Sequence, residues 1–340
     1  MALFVVVALV GLYIAKWHPY YGKAFAVAAK HSLGASIVSG KSAVAPAVGW
    51  HAAWTYALTY GKSIWKALVV GLLMGSGVQA LLPRAWLLRV LGSGRFRATA
   101  VAGLVAVPSM MCTCCSAPLA VGLAKSRVSV GATLAYWLGN PLLNPATMIF
   151  MGFVLGWRWV GLRIVFGVLL AFGVAQLAQR WFGAADLPRE AVAGVDAALS
   201  APEDTRPLLL RWGSALWQLS IGLVPEYAVI VLALGAARAW LFPAMTPAIG
   251  HGLWIVIGLA VAGTLFVIPT AGEIPIVQTL MGVGLGAAGA GALLTTLPAV
   301  SLPSLVMVGR GLPARVLVFV AVCVAVAGIL TGATAAVLRF

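Results

Sequence analysis

Cys112-Thr113-Cys114-Cys115-Ser116-Ala117-Pro118, and after it Gly139-Asn140-Pro141-Leu142-Leu143-Asn144-Pro145, place thiols, amides and prolines inside apolar sequence. In hydrocarbon, every backbone group freed by a proline must find a partner within the protein. Polar residues at that depth are costly and mark places where a solute is handled. This stretch therefore decides the fold: broken helices around a polar site, within a membrane protein.

The sequence on either side agrees. Apolar runs on the scale of a bilayer crossing recur at 67–82, 129–156, 160–179, 213–236, 251–269 and 316–337. Of 340 residues, 62% are hydrophobic and 9% charged, against about 25% charged in a soluble domain. No period-two alternation suggests an outer-membrane barrel. The predicted class is an all-α polytopic transmembrane bundle with internal duplication and re-entrant or broken half-helices near the membrane midplane. The net charge of +15 reads as basic loops facing the cytoplasm. No basic helix or stacking platform points to nucleic acid. The bilayer is the expected partner, and the oligomeric state stays open. Many of the 13 tryptophans, among them Trp17, Trp65, Trp86 and Trp157, stand beside span ends.

Four regions are expected: 1–60, a membrane helix (2–17) plus a basic interfacial segment with Lys16, Lys23, Lys30 and Lys41; 61–182, a first transmembrane repeat; 183–211, a polar linker; and 212–340, a second repeat. The linker holds Asp186, Glu190, Asp196, Glu203 and Asp204. The duplication rests on correspondences in one order, such as Arg84-Ala85-Trp86 with Arg238-Ala239-Trp240, Pro118 with Pro275, Pro141 with Pro298 and Pro145 with Pro303. Prolines at matching places in two halves mark secondary transporters, whose sites lie between the repeats. The basic tracts Arg84–Arg97 and Lys125/Arg127 belong on one side, so 98–124 should be a re-entrant hairpin with the cysteines at its tip. Basic residues counted onward favour inverted repeats.

Pro118 suits the first residue of a helix capped by Ser116 or Ala117, with Cys114 and Cys115 at its positive end. Thiolates bind soft centres such as Cu(I) or trivalent arsenic. Against this stand three readings: small core residues, a Cys112–Cys114 disulfide, and structural zinc, for which no fourth ligand and no C-x₂-C pair is evident. Cys323, alone in an apolar helix, reads as core. Asn140 and Asn144 should cap half-helices lining a cavity. In the second half Glu273 falls where Ser116 falls in the first, with Thr270 and Gln278 nearby. Glu273, and then Glu226, are candidate proton carriers. His51 reads as interfacial, and the glycines of 282–291 as permitting close helix packing. No Walker loop, Ser-His-Asp set or metalloprotease helix is present, so neither an enzyme nor a cofactor is expected.

Pro108 through Met148, with the Cys-rich motif, Val121-Gly122-Leu123 and Trp137-Leu138-Gly139-Asn140-Pro141, resembles the ArsP-type permeases, also called YraQ or DUF318 permeases. Weaker agreement runs from about 60 to 340, and the start before 60 matches nothing in the family pattern. Other branches carry a Cys-Gly pattern at this place. The resemblance implies a prokaryotic inner-membrane permease exporting trivalent organoarsenicals such as methylarsenite, with Cys112, Cys114 and Cys115 as ligands of that small-molecule cargo. On this reading Ser116, Asn140, Asn144 and Glu273 complete the binding site, and Glu273 and Glu226 couple to protons. The rivals are a Cu(I) carrier, an intramembrane thiol oxidoreductase using Cys112 and Cys114, and a scaffold subunit.

Overall fold

A computed structural model describes residues 1–34, 37, 49–183, 207–241 and 252–340. Among these residues every regular element is a helix. Chain order gives α1 (Ala2–Lys30), α2 (Trp50–Leu81), α3 (Arg84–Leu91), α4 (Phe96–Ala106), α5 (Thr113–Lys125), α6 (Val130–Leu142), α7 (Pro145–Val154) and α8 (Trp157–Phe182). There follow α9 (Leu208–Leu241), α10 (Leu253–Leu265), α11 (Glu273–Gly282), α12 (Ala287–Ala299), α13 (Leu302–Val308) and α14 (Ala314–Val337). Six helices among the described residues are long and apolar enough to cross a membrane, so the protein is a multi-pass membrane protein. The five acids of the expected linker, and Lys41, lie outside the described residues.

One order of elements occurs twice: a long helix, a helical hairpin, a broken helix, another long helix. It runs α2, α4/α5, α6/α7, α8 and again α9, α10/α11, α12/α13, α14. Helices α12, α13 and α14 each begin 157 residues after α6, α7 and α8 (130 to 287, 145 to 302, 157 to 314). The arms of the first hairpin are too short to span, since 13 residues of α5 rise only about 20 Å against a hydrocarbon core of about 30 Å. The hairpin returns to its starting side: Ser129, just after α5, donates through Oγ to the carbonyl of Leu91, just before α4, at 2.8 Å.

The N-terminal helix runs to Lys30 rather than ending at residue 17. Lys16, read in the sequence as part of a loop, is instead buried on this helix at 4% exposure. A widened π turn over Tyr13–Trp17 carries it. The helix α2 likewise begins at Trp50, well before the apolar run at 67; Tyr56, Tyr60 and Ile64 bury its polar-looking first half.

Lipid gives helices no hydrophobic reason to associate, so close packing must do it. Small residues let α2 meet α5 backbone to backbone. A Cβ on Gly71 would lie 2.0 Å from the Cys115 carbonyl oxygen, and one on Gly75 2.4 Å from that of Pro118. In the 282–291 tract, Gly291 meets the Thr331 carbonyl in the same way.

Gly71→Ala should therefore pry α5 from α2 and cost about 1–3 kcal/mol. Thermal unfolding of the purified protein should drop for Gly71→Ala but not for Gly61→Ala on the same helix, where a Cβ meets nothing within 4 Å.

Candidate functional site

Four helix breaks meet at the centre of the bundle. Helix α5 packs on α13, and α7 on α11, so the hairpin tip of each half faces the broken helix of the other. Cys112 is the N-cap residue of α5, and Cys114 and Cys115 sit in its first turn. The helix thus starts before, not at, the proline: Pro118 lies inside α5, and neither Ser116 nor Ala117 caps it. Ser116 instead turns its hydroxyl back onto the Cys112 carbonyl at 3.0 Å. Each tip holds one non-glycine residue in the left-handed region, Met110 (φ 51°) and Ala271 (φ 66°). Such a conformation costs about 1–2 kcal/mol and persists only where surrounding contacts impose it.

Those contacts are donors aimed at freed carbonyls and acceptors aimed at freed N–H groups. Trp17 Nε1 donates to Pro108 O at 2.7 Å, and Trp137 Nε1 to Thr113 O at 3.1 Å. Tyr56 donates its hydroxyl to Val267 O in the second tip. Asn144 caps α7, its Oδ1 accepting from Ala146 N (3.0 Å) and Thr147 N (3.3 Å). Asn140 departs from expectation. It lies within α6, which runs on through Pro141 to Leu142, and it caps nothing. Its Oδ1 accepts from Met111 N at 3.3 Å and its Nδ2 donates to Tyr136 O at 2.8 Å, stapling the first tip to α6. Ser301, 157 residues after Asn144, caps α13 in a capping box with Ser304.

The three cysteines divide. Cys112 Sγ and Cys115 Sγ are 2.9 Å apart. Cys114 points to the opposite side, with its Sγ 3.4 Å from Ser301 Oγ. The close pair is Cys112–Cys115, not Cys112–Cys114, because residues three apart share a helix face. Cys112 and Cys115 are themselves a C-x₂-C pair, which the sequence reading missed. No three Cys, His, Asp or Glu among the described residues are placed to hold one metal ion. Lys16 Nζ donates to Thr270 Oγ1 at 3.0 Å and to the Tyr20 hydroxyl at 3.2 Å.

Glu273, the first residue of α11, is 1% exposed. Arg163 of α8 donates to its Oε1 at 2.6 Å, and also to Pro141 O (2.7 Å) and Leu142 O (3.2 Å). Arg163 thereby satisfies the carbonyls freed at the α6/α7 break and ties them to the second half. Among the described residues Glu273 Oε2 is buried with no partner. Glu226 is elsewhere, in a half-exposed ion pair with Arg310 at 2.7 Å. His51 is exposed, and Gln278 and Cys323 are partly buried away from the site.

Cys112 and Glu273 line one narrow cavity, together with Thr113, Thr147 and Thr270; it has room for about one water molecule. Three pairs of its lining residues lie 157 positions apart: Cys112 with Pro269, Thr113 with Thr270, and Pro141 with Pro298. The cavity therefore sits between equivalent parts of the two halves. Neither Cys114 nor Cys115 reaches its wall among the described residues. Sequence reasoning passed over Arg163 and Lys16. Each is a lone cation within apolar sequence, a signal in itself. Tyr60, Tyr227 and Trp137 gave none.

Arg163→Met would strand a buried carboxylate and two carbonyls, at about 3–5 kcal/mol. Adding Glu273→Met should recover part of that loss in denaturation of the solubilised protein, because the unpaired charge goes too.

The predicted-permease family ArsP_1 matches residues 1–138 and again 109–337. The match includes the first 60 residues, which the sequence reading left outside the family pattern. The UPF0718 protein YraQ of Escherichia coli (strain K12) is 49% identical over 334 residues, covering 98% of this chain and 94% of that protein. No solved structure matches. The chain belongs to the ArsP_1 family of predicted permeases.

Proposed function

We propose that this permease works in the plasma membrane as a secondary exporter of a thiophilic metalloid, trivalent organic arsenic such as methylarsenite. One observation carries the reading: Cys112 lines a cavity between the halves, and its sulfur lies 2.9 Å from a second free sulfur, Cys115 Sγ. Thiols hold soft centres reversibly, and a carrier must also release its cargo. Cys112 meets the cargo and Cys115 takes it in exchange. Cys114 supports the tip through Ser301, while Asn140 and Asn144 hold the cavity wall. Glu273 is the carboxylate on that wall and carries the coupling proton. Glu226, in its ion pair with Arg310 away from the cavity, has no part in coupling on this reading.

The same sulfur pair favours a second reading, a thiol oxidoreductase working through Cys112 and Cys115. A Cu(I) carrier would use the same two sulfurs.

Everted vesicles given external methylarsenite, with and without a proton gradient, separate these readings. Uptake should rise with the gradient and fall on the order of tenfold or more in Cys112→Ser and Cys115→Ser, a loss of about 1.4 kcal/mol or greater. It should fall less in Cys114→Ser and stay unchanged in Cys323→Ser. Copper uptake without arsenic uptake would favour the metal carrier. Redox cycling of the two thiols without solute flux would favour the oxidoreductase.

A further inference from the structure

The two halves match in backbone where they meet but differ in the chemistry they bring. Cys112 stands where the second half has Pro269, and Glu273 where the first has Ser116. One wall of the cavity thus carries a soft sulfur and the other a hard carboxylate. Arg163 occupies Glu273 Oε1 and is itself anchored on Pro141 O and Leu142 O. That leaves Oε2 buried and, among the described residues, without a donor. An acceptor left so in a low-dielectric interior costs about 1–3 kcal/mol, and more when charged. A ligand carrying a hydrogen-bond donor recovers that cost.

We infer that these two walls, once the gap between the halves opens beyond the one-water space seen here, grip the cargo at two points: Cys112 Sγ bonds the metalloid atom, and Glu273 Oε2 accepts a hydrogen bond from a hydroxyl that stays on it. The inference rests on the thiophilic-cargo reading above and adds that the cargo is a metalloid dihydroxide. In the bonding step the Cys112 S–H bond and one arsenic–oxygen bond break. An arsenic–sulfur bond forms, and the thiol proton leaves with the hydroxide as water. Arsenic keeps its oxidation state. The second hydroxyl donates to Oε2 until Cys115 displaces it in the same way. Thr113, Thr147 and Thr270 line the space into which the water departs.

Methylarsenite carries two hydroxyls and dimethylarsenite one, so dimethylarsenite has none left for Glu273 once Cys112 has bound it. Binding of each to the solubilised protein, with no gradient, is read by tryptophan fluorescence. Wild type should prefer methylarsenite by about tenfold or more, the worth of a hydrogen bond to a charged group. Glu273→Gln keeps an acceptor for Arg163 but replaces Oε2 with a donor; added to Cys115→Ser, where the second hydroxyl stays on arsenic, it should abolish the preference. Cys115→Ser removes chelation by a second sulfur and should keep it. A preference that survives in Cys115→Ser with Glu273→Gln, or that disappears in Cys115→Ser alone, would overturn the inference while leaving the arsenical reading intact. Failure of both arsenicals to bind wild type would overturn the reading itself. If Glu273→Gln does not fold, infrared difference spectra of the wild type decide: methylarsenite, not dimethylarsenite, should shift a carboxylate band, and no shift with either would sink the idea.

Discussion

Everything at the centre of this protein follows from one constraint: a backbone group freed inside lipid must be paired, or it costs several kcal/mol. The chain breaks its helices at both hairpin tips and in both broken spans, and so incurs that cost repeatedly. Its answers are a set of side chains with no other evident task. Trp17, Trp137 and Tyr56 cover tip carbonyls. Asn144 and Ser301 cap the helices that restart. Arg163 takes the hardest position, two carbonyls at once. A guanidinium there needs a counter-charge, and Glu273 from the other half supplies it at 2.6 Å. The ion pair therefore comes from the need to break helices, and it fixes the carboxylate that faces the cavity.

Duplication explains why the site lies where it does. Each hairpin tip packs against the broken helix of the opposite half, so the gap between them is walled by equivalent positions. A cavity made this way starts with matching walls, and substitutions then break the match. Cys112 against Pro269 and Glu273 against Ser116 are two such places. The sulfur chemistry resides in the first half and the carboxylate in the second, which makes the cavity two-sided without altering the packing that forms it.

The sequence made the hairpin legible because charge and length agree there: basic residues at both ends of 98–124 and arms too short to span leave no other path. It made the broken helices legible through Pro141, Pro145, Pro298 and Pro303. Local proline rules failed at Pro118 and Pro141, which both lie inside helices. A proline stops a helix only where its freed carbonyl finds nothing better, and tertiary partners settle that. Asn140 looked like a cap for the same reason. Its partner, the Met111 amide, is 29 residues away, beyond the range of local pattern. The division of the cysteines was readable from helical spacing alone once the helix start was placed at Thr113.

The N-terminal helix shows most clearly what composition conceals. Its outer face is apolar, and Lys16 in its middle resembles the start of a loop. An ammonium facing lipid at the centre of a span costs about 2.5–3.5 kcal/mol. The widened turn at Tyr13–Trp17 instead faces Lys16 inward, onto Tyr20 and Thr270. Trp17, one residue on, reaches Pro108. Consecutive residues of α1 thus hold the two hairpin tips, Lys16 the second and Trp17 the first. The helix is a third component of the candidate site beside the two halves, and its lysine brings an ammonium to the second hairpin tip at Thr270.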